Sequence, residues 1–258
     1  MGSEPLRVLN VSGGVQSSTL VYMAARGELP VDVAIFADTR WEGRRTYDQV
    51  DRCERIARDA GIEFRRVGIG SLPERVLTQP KSKYVTLPAW TRAADGTEGK
   101  MREVCTYEYK IAPIRREVRR IMAERGARRV VQYLGFSLDE VRRVRPSDVG
   151  FIRLVHPLIE RRMTRADCIR YAERHGFPVA SQTSCLGCPL SDDGWFRYLR
   201  DESPEEWAEV VAFDRAIRRG GPRGVPFDGE VFLHRSRRPL DEVDLRTPEE
   251  RGQERLFA

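Results

Sequence analysis

The chain has 258 residues, of which 33% are charged and 40% hydrophobic, and its formal net charge is +6. This composition is typical of a globular protein built as one large domain or a domain with an appendage. No run of about 18 apolar residues occurs, and no basic stretch followed by an apolar one opens the chain. We therefore expect neither a membrane span nor a secretory signal.

Short apolar strands alternate with helical patterns along the first part of the chain. The sequence predicts strands over 6–12, 31–38 and 63–69, with helices over 16–26 and 45–60 between them. This alternation is typical of parallel strands joined by crossover helices.

The pattern breaks between Ser71 and about Arg102, where prolines and the stretch ADGTEG predict a long surface excursion. The elements predicted after it are a helix over 108–124, strands over 128–135 and 152–158, and a helix over 164–175 that Thr164 caps with Asp167 at its third position. Two helices within 191–218, split by Ser203-Pro204, and a late strand over 229–235 follow. The expected fold class is α/β, a doubly wound parallel sheet of about five strands with a small helical C-terminal extension. We place a domain that binds nucleotide and metal at 1–190 and the extension at 191–258.

The stretch SGGVQSS, residues 12–18, lies where the first strand gives way to the first helix. In an open parallel sheet, ligands bind at the carboxyl ends of the strands, and Asp38-Thr39 lies at the end of the second strand. A helix N-terminus offers unpaired N–H groups and a favourable dipole to an anion. The turn therefore indicates a phosphate site, with a plain strand–turn–helix connection as the alternative. It is neither a Walker loop nor a dinucleotide fingerprint.

The motif SGG-x-x-S resembles the pyrophosphate loop (PP-loop) of the adenine nucleotide alpha-hydrolase-like superfamily. FADT followed by Trp41-Glu42 resembles the second strand of the branch that contains phosphoadenosine-phosphosulfate reductases and sulfur-transfer enzymes. The resemblance extends over roughly residues 6–190 and implies a sheet of the HUP/PP-loop type. It also implies that ATP, with Mg²⁺, is split between its α- and β-phosphates.

The resemblance further implies a set of nucleotide-binding residues. Many members of the superfamily have Asp where this chain has Gln16, and a neutral amide cannot support a magnesium ion as a carboxylate would. Either Asp38 or a loop acid takes that task, or the hydrolytic chemistry differs. The residues expected to bind the nucleotide are Ser12, Gly13, Gly14, Gln16, Ser17, Ser18, Asp38, Thr39 and Gly135.

Five cysteines, an odd number without an export signal, favour metal or catalytic chemistry over a disulfide framework. Cys185 and Cys188 form a C-x-x-C pair whose sulfurs can bind one metal centre, and Cys105 would supply a third thiolate. Cys53 and Cys168 lie within predicted helices and are expected to be structural. Zinc with His175 or Cys168 as fourth ligand stays open, as do unligated thiols.

The cysteine pattern resembles that of the iron–sulfur adenylyl-sulfate reductases, which carry a Cys-Cys pair and a later C-x-x-C around a [4Fe–4S] cluster. Here Val104 stands before Cys105, so one ligand is missing. Three cysteines are similar to the set in the tRNA thiolases of the superfamily, whose open iron can bind an extra sulfide. No cysteine follows Cys188 to take a sulfonate, so reduction is disfavoured.

Basic residues surround the predicted site. Arg102 and Lys110 flank Cys105, and Arg142 and Arg143 follow the predicted loop at Gly135. They could neutralise a triphosphate or hold a nucleic-acid backbone, and the alternative is a solvated helix face. The residues expected to be catalytic are Asp38, Lys110 and Cys105.

The expected function is that of an ATP-dependent sulfurtransferase, which adenylates a nucleic-acid base or a nucleobase-like amide and delivers sulfide from a three-cysteine cluster. The expected partners are ATP, a sulfide or persulfide carrier, and an acceptor that is tRNA, DNA or a small molecule. A homodimer is open, and the expected location is cytoplasmic, without a membrane. The alternatives are a reductase of phosphoadenosine phosphosulfate or adenylyl sulfate, a DNA phosphorothioation component, and a non-catalytic nucleotide-binding module with structural zinc.

Overall fold

The computed structural model describes residues 4–78, 87–180, 182–219, 229–247 and 250–252. The chain divides into two compact units that interleave along the sequence. The first unit takes residues 1–38, 44–69 and 109–183, and the second takes residues 39–43, 70–108 and 184–258. The predicted domain boundary after residue 190 stays a prediction.

The first unit is built on a parallel sheet of five strands in the order β3-β2-β1-β6-β7. The chain lays down three strands in one direction and then returns to the other side of β1, which is the doubly wound arrangement that the alternating pattern predicts. Its elements are β1 (Leu6–Val11), α1 (Val15–Ala25), β2 (Val33–Ala37), α2 (Arg44–Asp59), β3 (Glu63–Val67), α4 (Ala112–Arg125), β6 (Val130–Tyr133), β7 (Ile152–Val155), α5 (Pro157–Glu160) and α6 (Arg165–Arg174).

Helices cover both faces of this sheet. Residues of β1 alternate between the faces: Leu9 and Val11 join the core that includes α1, α2 and α6, whereas Leu6 and Val8 join the core beneath α4. This pattern explains why the strands read as nearly continuous apolar runs. Helix α6 begins at the predicted cap, because Thr164 accepts from the backbone N–H of Asp167 and Asp167 accepts from that of Thr164.

The second unit contains a three-stranded antiparallel sheet in the order β5-β4-β8 and the helices of the C-terminal region. The predicted break between Ser203 and Pro204 separates α7 from α8. Asp214, wholly buried, accepts from the backbone N–H groups of Leu233 and Leu240 and so ties α8 to the segment around β8. The elements of this unit are α3 (Leu72–Thr78), β4 (Trp90–Ala93), β5 (Glu98–Lys100), α7 (Asp193–Glu202), α8 (Pro204–Ile217) and β8 (Gly229–Phe232).

The expectation of a surface excursion over 71–102 is wrong for its described part, which contains α3 and the β4–β5 hairpin. Trp90 of β4 pairs with Phe232 of β8, far along the chain, and local patterns do not reveal such a pairing. Residues 79–86, which also belong to the predicted excursion, lie outside the described residues. Within the described ranges, none of the helices combines the length and the apolar character needed to cross a bilayer.

Candidate nucleotide and cysteine sites

The order of the five strands places a topological switch point between β1 and β6. Loops that follow these two neighbouring strands flank a crevice at the carboxyl edge of the sheet, where ligands of this fold class bind. The turn at residues 12–14 follows β1, and Gly135 lies just after β6. The structure thus brings the SGGVQSS turn and Gly135 together.

Two glycines are required by the close approach of backbone around the turn. Gly13 has φ of 77°, in the left-handed region, and a Cβ there would lie 3.1 Å from the carbonyl oxygen of Thr46 in α2. A Cβ on Gly135 would lie 2.8 Å from the Ser17 nitrogen and 2.9 Å from its Cα. Gly135 therefore packs directly against the first turn of α1.

The serines of the turn bond mainly to one another. The Ser17 hydroxyl accepts from the backbone N–H of Ser12 at 3.1 Å, lies 3.0 Å from the Ser12 hydroxyl and donates to the Gly14 carbonyl at 3.2 Å. Gly14, the N-cap of α1, offers no side chain to the first helical turn. The backbone at this helix start is therefore held in shape by Ser17, while the cap position keeps the N-terminus open to an anion.

Ser18 has a different environment from the other serines. Its hydroxyl is buried and accepts from Gln49 Nε2 at 3.2 Å and from the Cys53 thiol at 3.4 Å. These bonds anchor α1 to α2 in the core. A role for Ser18 in nucleotide binding stays a prediction, and its hydroxyl is already engaged inside the protein.

Gln16 lies at the centre of a polar network beside the turn. Its Nε2 donates to Glu140 Oε2 at 3.1 Å and to the Ser137 hydroxyl at 3.3 Å, and its Oε1 accepts from Arg165 at 3.4 Å. Arg143 forms an ion pair with Glu140. A loop carboxylate thus lies within hydrogen-bond distance of the position where many superfamily members carry Asp.

Asp38 follows β2 at the same carboxyl edge of the sheet, next to β1. One of its carboxylate oxygens accepts from the Tyr47 hydroxyl at 2.8 Å, which fixes the side chain against α2. Gly68 packs closely against the backbone of Asp38, since a Cβ on Gly68 would lie 2.7 Å from the Asp38 carbonyl oxygen. Asp38 is thus a positioned carboxylate, and its part in metal binding and catalysis stays a prediction.

The C-x-x-C pair forms a tight turn in the second unit. The backbone N–H of Cys188 donates to the carbonyl of Cys185 at 3.3 Å, and both cysteines are partly exposed. Cys185 pairs with Glu42 in an isolated antiparallel bridge. On either side of this bridge, the backbone N–H of Gly43 donates to the carbonyl of Ser184, and that of Leu186 donates to the carbonyl of Trp41. The segments 39–43 and 184–186 therefore form a short two-stranded ribbon.

Three tryptophans hold this cysteine turn in place. Trp195 Nε1 donates to the Leu186 carbonyl at 3.0 Å, and Trp90 Nε1 donates to the Pro189 carbonyl at 3.1 Å. Trp41 lies against Gly187, where a Cβ would approach its ring to 2.3 Å. The three tryptophans thus contact the backbone between the two cysteines and the residue directly after them, which holds the turn in a defined conformation.

Glu42 contacts one of the predicted ligands directly. Glu42 is 5% exposed, and its carboxylate accepts from the Cys185 thiol at 3.2 Å and from the Thr39 hydroxyl at 3.0 Å. Thr39 in turn accepts from the backbone N–H of Trp41 at 3.2 Å. Thr39 is therefore an organiser of the cysteine ribbon, and its predicted contact with nucleotide stays a prediction.

Cys105 belongs to the same compact unit as Cys185 and Cys188 and is partly exposed. It directly precedes a π-helical turn, Thr106–Ile111, which contains the half-buried Lys110. In the parts of the chain that the structure describes, no three His, Cys, Asp or Glu side chains converge as a metal site. The donor set fits a thiophilic centre by its chemistry, and its metal stays a prediction.

Cys53 and Cys168 lie in the hydrophobic core of the first unit, as the sequence predicts. Burial raises the pKa of the Cys168 thiol to about 11 and also raises that of Cys53. Both groups therefore stay protonated and unreactive at neutral pH.

Sequence reasoning did not find the tryptophan clamp or the Gln16–Glu140 contact. Both depend on residues far apart in the chain, and the only local signal was the position of Trp41-Glu42 directly after the FADT strand. The stretch GFSLDE did offer a local signal for Glu140, because a loop that directly follows β6 lies at the carboxyl edge of the sheet, where ligands bind.

Taken together, the doubly wound sheet and the glycine turn at its switch point define a nucleotide-binding α/β protein. Residues 7–182 match the phosphoadenosine phosphosulfate reductase domain, so the chain belongs to that family. Its fold is of the PP-loop type, as the sequence predicts.

The chain is also similar, at low sequence identity, to two solved structures. Phosphoadenylyl-sulfate (PAPS) reductase from Candida auris, in a phosphate complex, is 17% identical, with 69% of this chain and 76% of that one covered and a TM-score of 0.42. The U34-tRNA thiolase NcsA from Methanococcus maripaludis with its [4Fe–4S] cluster is 14% identical, with 83% and 72% covered and a TM-score of 0.43. No curated protein matches the chain.

Proposed function

We propose that this chain is an ATP-dependent sulfurtransferase that adenylates a nucleic-acid base or a nucleobase-like amide and replaces its carbonyl oxygen by sulfur. The observation that carries the proposal is the cysteine turn, which three tryptophans and Glu42 hold in place within a chain that also has a phosphate-type turn at its switch point. A C-x-x-C turn built in this way presents two thiols for a ligand rather than for the core.

The first unit supplies the nucleotide half of the reaction. The N-terminus of α1 and the Gly13-Gly14 backbone would take the β- and γ-phosphates of ATP. Asp38 and Glu140, both at the carboxyl edge, are the carboxylates that would support Mg²⁺. Lys110 would offset charge on the departing pyrophosphate.

The reaction balances without an oxidant or reductant. The acceptor carbonyl oxygen attacks the α-phosphorus, and the bond from that phosphorus to the bridging oxygen of pyrophosphate breaks. A sulfide then forms a bond to the carbonyl carbon, the C–O bond breaks, and the oxygen leaves within AMP. Adenylation is needed because a carbonyl oxygen is a poor leaving group, whereas AMP is a good one.

Cys105, Cys185 and Cys188 would hold a [4Fe–4S] cluster, and three thiolates would leave one iron open. When bound, such a centre supplies the sulfide that the exchange needs. The tryptophan-held turn would keep Cys185 and Cys188 at a fixed separation, and Glu42 would orient the Cys185 sulfur. A cytoplasmic location, where thiols stay reduced, suits this chemistry.

The testing experiment is metal analysis after anaerobic purification, combined with pyrophosphate release. We expect about four irons and four labile sulfides per chain, lost in Cys105→Ala and retained in the matched control Cys168→Ala. Pyrophosphate should appear only when both ATP and an acceptor are present, and repeated turnover with release of AMP should also require sulfide. Stoichiometric zinc without iron would contradict sulfide delivery by the chain.

Family membership favours one second candidate, reduction of phosphoadenylyl sulfate. The two functions differ in their products. A reductase releases sulfite from phosphoadenylyl sulfate and needs a thiol reductant, whereas the sulfurtransferase releases pyrophosphate and AMP from ATP. Sulfite release by the purified chain with a dithiol reductant, without pyrophosphate release from ATP under any condition, would replace the first proposal by the second.

A further inference from the structure

The first unit also contains a cavity lined by arginines, which is separate from the nucleotide turn. A cavity of about 960 Å³ runs along β7, and its lining consists of Pro5, residues 129–131, 144–147 and 149–154, and His156. We call it the β7 groove. Strand β7 is last in the sheet order, so its outer edge bonds to no other strand of the described chain. Such an edge leaves room for a ligand.

The charges that line the β7 groove have one sign. Arg129, Arg145 and Arg153 line it, and no acidic residue does. Arg129 and Arg153 are exposed and form no ion pair with any described residue, and Arg145 donates to the carbonyl oxygens of Arg142 and Val144. Charged nitrogens without carboxylate partners are available to an external anion.

Other arginine-rich parts of the first unit look different. The cavity beside α2 is lined by Arg52 and Arg55, but also by Asp48, Asp51 and Glu54. Arg65 of β3 forms ion pairs with three glutamates. Carboxylates thus offset the arginines at these two places, whereas the β7 groove is lined by arginines without an acidic residue.

The remaining lining suits a polymer with both phosphates and flat rings. Phe151 lies in the groove, with the Arg119 guanidinium 5.5 Å from its ring centroid. His156 also lines the groove, and its Nε2 is buried without a hydrogen-bond partner among the described residues. Arginines take phosphates, and aromatic faces stack on bases in a manner that tolerates any sequence.

The groove also leads towards the nucleotide turn. The His156 ring stacks on that of Phe136, with centroids 5.6 Å apart. Phe136 follows Gly135, and Gly135 packs against Ser17 of the turn. A strand lying in the groove would therefore have one end close to the loop that borders the predicted ATP site.

We propose that the β7 groove binds the sugar-phosphate backbone of a nucleic-acid acceptor, with Arg129 and Arg153 on phosphates and Phe151 against a base. This inference deepens the proposed function by naming nucleic acid as the substrate class, and it rests on that function for the chemistry at the acceptor. The shared chemistry is the phosphodiester backbone, which RNA and DNA both carry.

The test measures binding of a fluorescein-labelled RNA stem-loop and of single-stranded DNA of the same length, by anisotropy at several salt concentrations and without ATP. The variant is Arg129→Gln with Arg153→Gln. Each lost phosphate contact should lower the slope of log affinity against log salt by about 0.7 to 0.9. We therefore expect a fall of about 1.4 to 1.8 and affinity about 30-fold weaker at 0.1 M salt.

The matched control is Arg52→Gln with Arg55→Gln, which removes the same charge from the mixed-sign cavity beside α2. Its affinity should change less than about threefold. Equal loss in both variants would mean that only net charge attracts nucleic acid, and this would overturn the proposal. The nucleic acid that binds more tightly to the wild type identifies the acceptor class as RNA or DNA.

A cross-linking experiment on the wild-type protein tests the groove even if the double variant folds poorly. Wild-type protein irradiated with RNA that contains 4-thiouridine should yield cross-linked peptides from 144–154, and cross-links confined to other segments would refute the groove. ATP binding and pyrophosphate release are measured in parallel with a free nucleobase as acceptor. Pyrophosphate release with the free nucleobase but no nucleic-acid binding would overturn the groove proposal and support the sulfurtransferase proposal. Nucleic-acid binding through the groove without pyrophosphate release would support the groove proposal and overturn the sulfurtransferase proposal.

Discussion

Gly135→Ala tests whether the loop after β6 and the turn after β1 form one nucleotide site. The added Cβ would lie 2.8 Å from the Ser17 nitrogen, 2.9 Å from the Ser17 Cα and 3.1 Å from the Gln16 carbonyl carbon. All three are backbone atoms of the first turn of α1, so no side-chain rotation relieves the overlap. Either the loop or the helix start must move by several tenths of an ångström.

Overpacking of this kind costs about 1–3 kcal/mol. For a chain of this size, each kcal/mol corresponds to a fall in Tm of about 2–4 °C. Displacement of the first turn also misdirects the N–H groups that would hold the phosphates. A loss of about 1.4 kcal/mol in binding is a tenfold change in Kd. We therefore expect ATP to bind at least about tenfold more weakly, as measured by isothermal titration calorimetry.

Gly150→Ala is the matched control, because a Cβ there meets nothing within 4 Å and the residue lies in the same unit. It should leave both Tm and ATP affinity close to the wild type. If Gly135→Ala bound ATP as tightly as Gly150→Ala, the switch-point loop would not shape the site. If it lost stability but kept full affinity, the close approach would be structural only.

Three further predictions concern the cysteines. Trp195→Phe removes the donor to the Leu186 carbonyl, so we expect a loss of about 1–3 kcal/mol in urea unfolding and faster alkylation of the cysteine turn. Glu42→Gln keeps an acceptor for the Cys185 thiol and Glu42→Ala does not, so iodoacetamide mapping should show altered Cys185 reactivity only in the alanine variant. Cys168 should resist alkylation at pH 8 until the chain unfolds, because its pKa is raised from 9.0 to about 11. The unfolded chain releases this proton at lower pH than the folded one, so Tm should fall between about pH 9 and 11, and less in Cys168→Ala.

Local patterns predicted the five-stranded sheet because its strands alternate with helices, and because β1, β2 and β6 are mostly buried apolar runs. Thr164 with Asp167 predicted the start of α6, and Ser203-Pro204 predicted the gap between α7 and α8. The β4–β8 pairing was missed because two short strands some 140 residues apart share no local signal.

The candidate site also has parts that the sequence predicted and parts that it did not. The glycine turn and the C-x-x-C pair were readable because their chemistry needs particular residues at short spacing. The tryptophan clamp was not, because Trp41, Trp90 and Trp195 lie on separate segments and meet only around the cysteine turn. Ser18 was assigned to the nucleotide because of its place in the motif, and its burial against Gln49 could not be read from that place.

The unusual amide at Gln16 has a physical reason in the fold. Its Nε2 donates to Glu140 and its Oε1 accepts from Arg165, so the position requires a group that both donates and accepts. A carboxylate at residue 16 could not donate to Glu140, and it would repel that negative charge in a partly buried setting. The residue is therefore matched to an acid supplied by the loop after β6. A carboxylate still lies beside the turn, but it comes from the neighbouring strand of the switch point instead of from the motif itself.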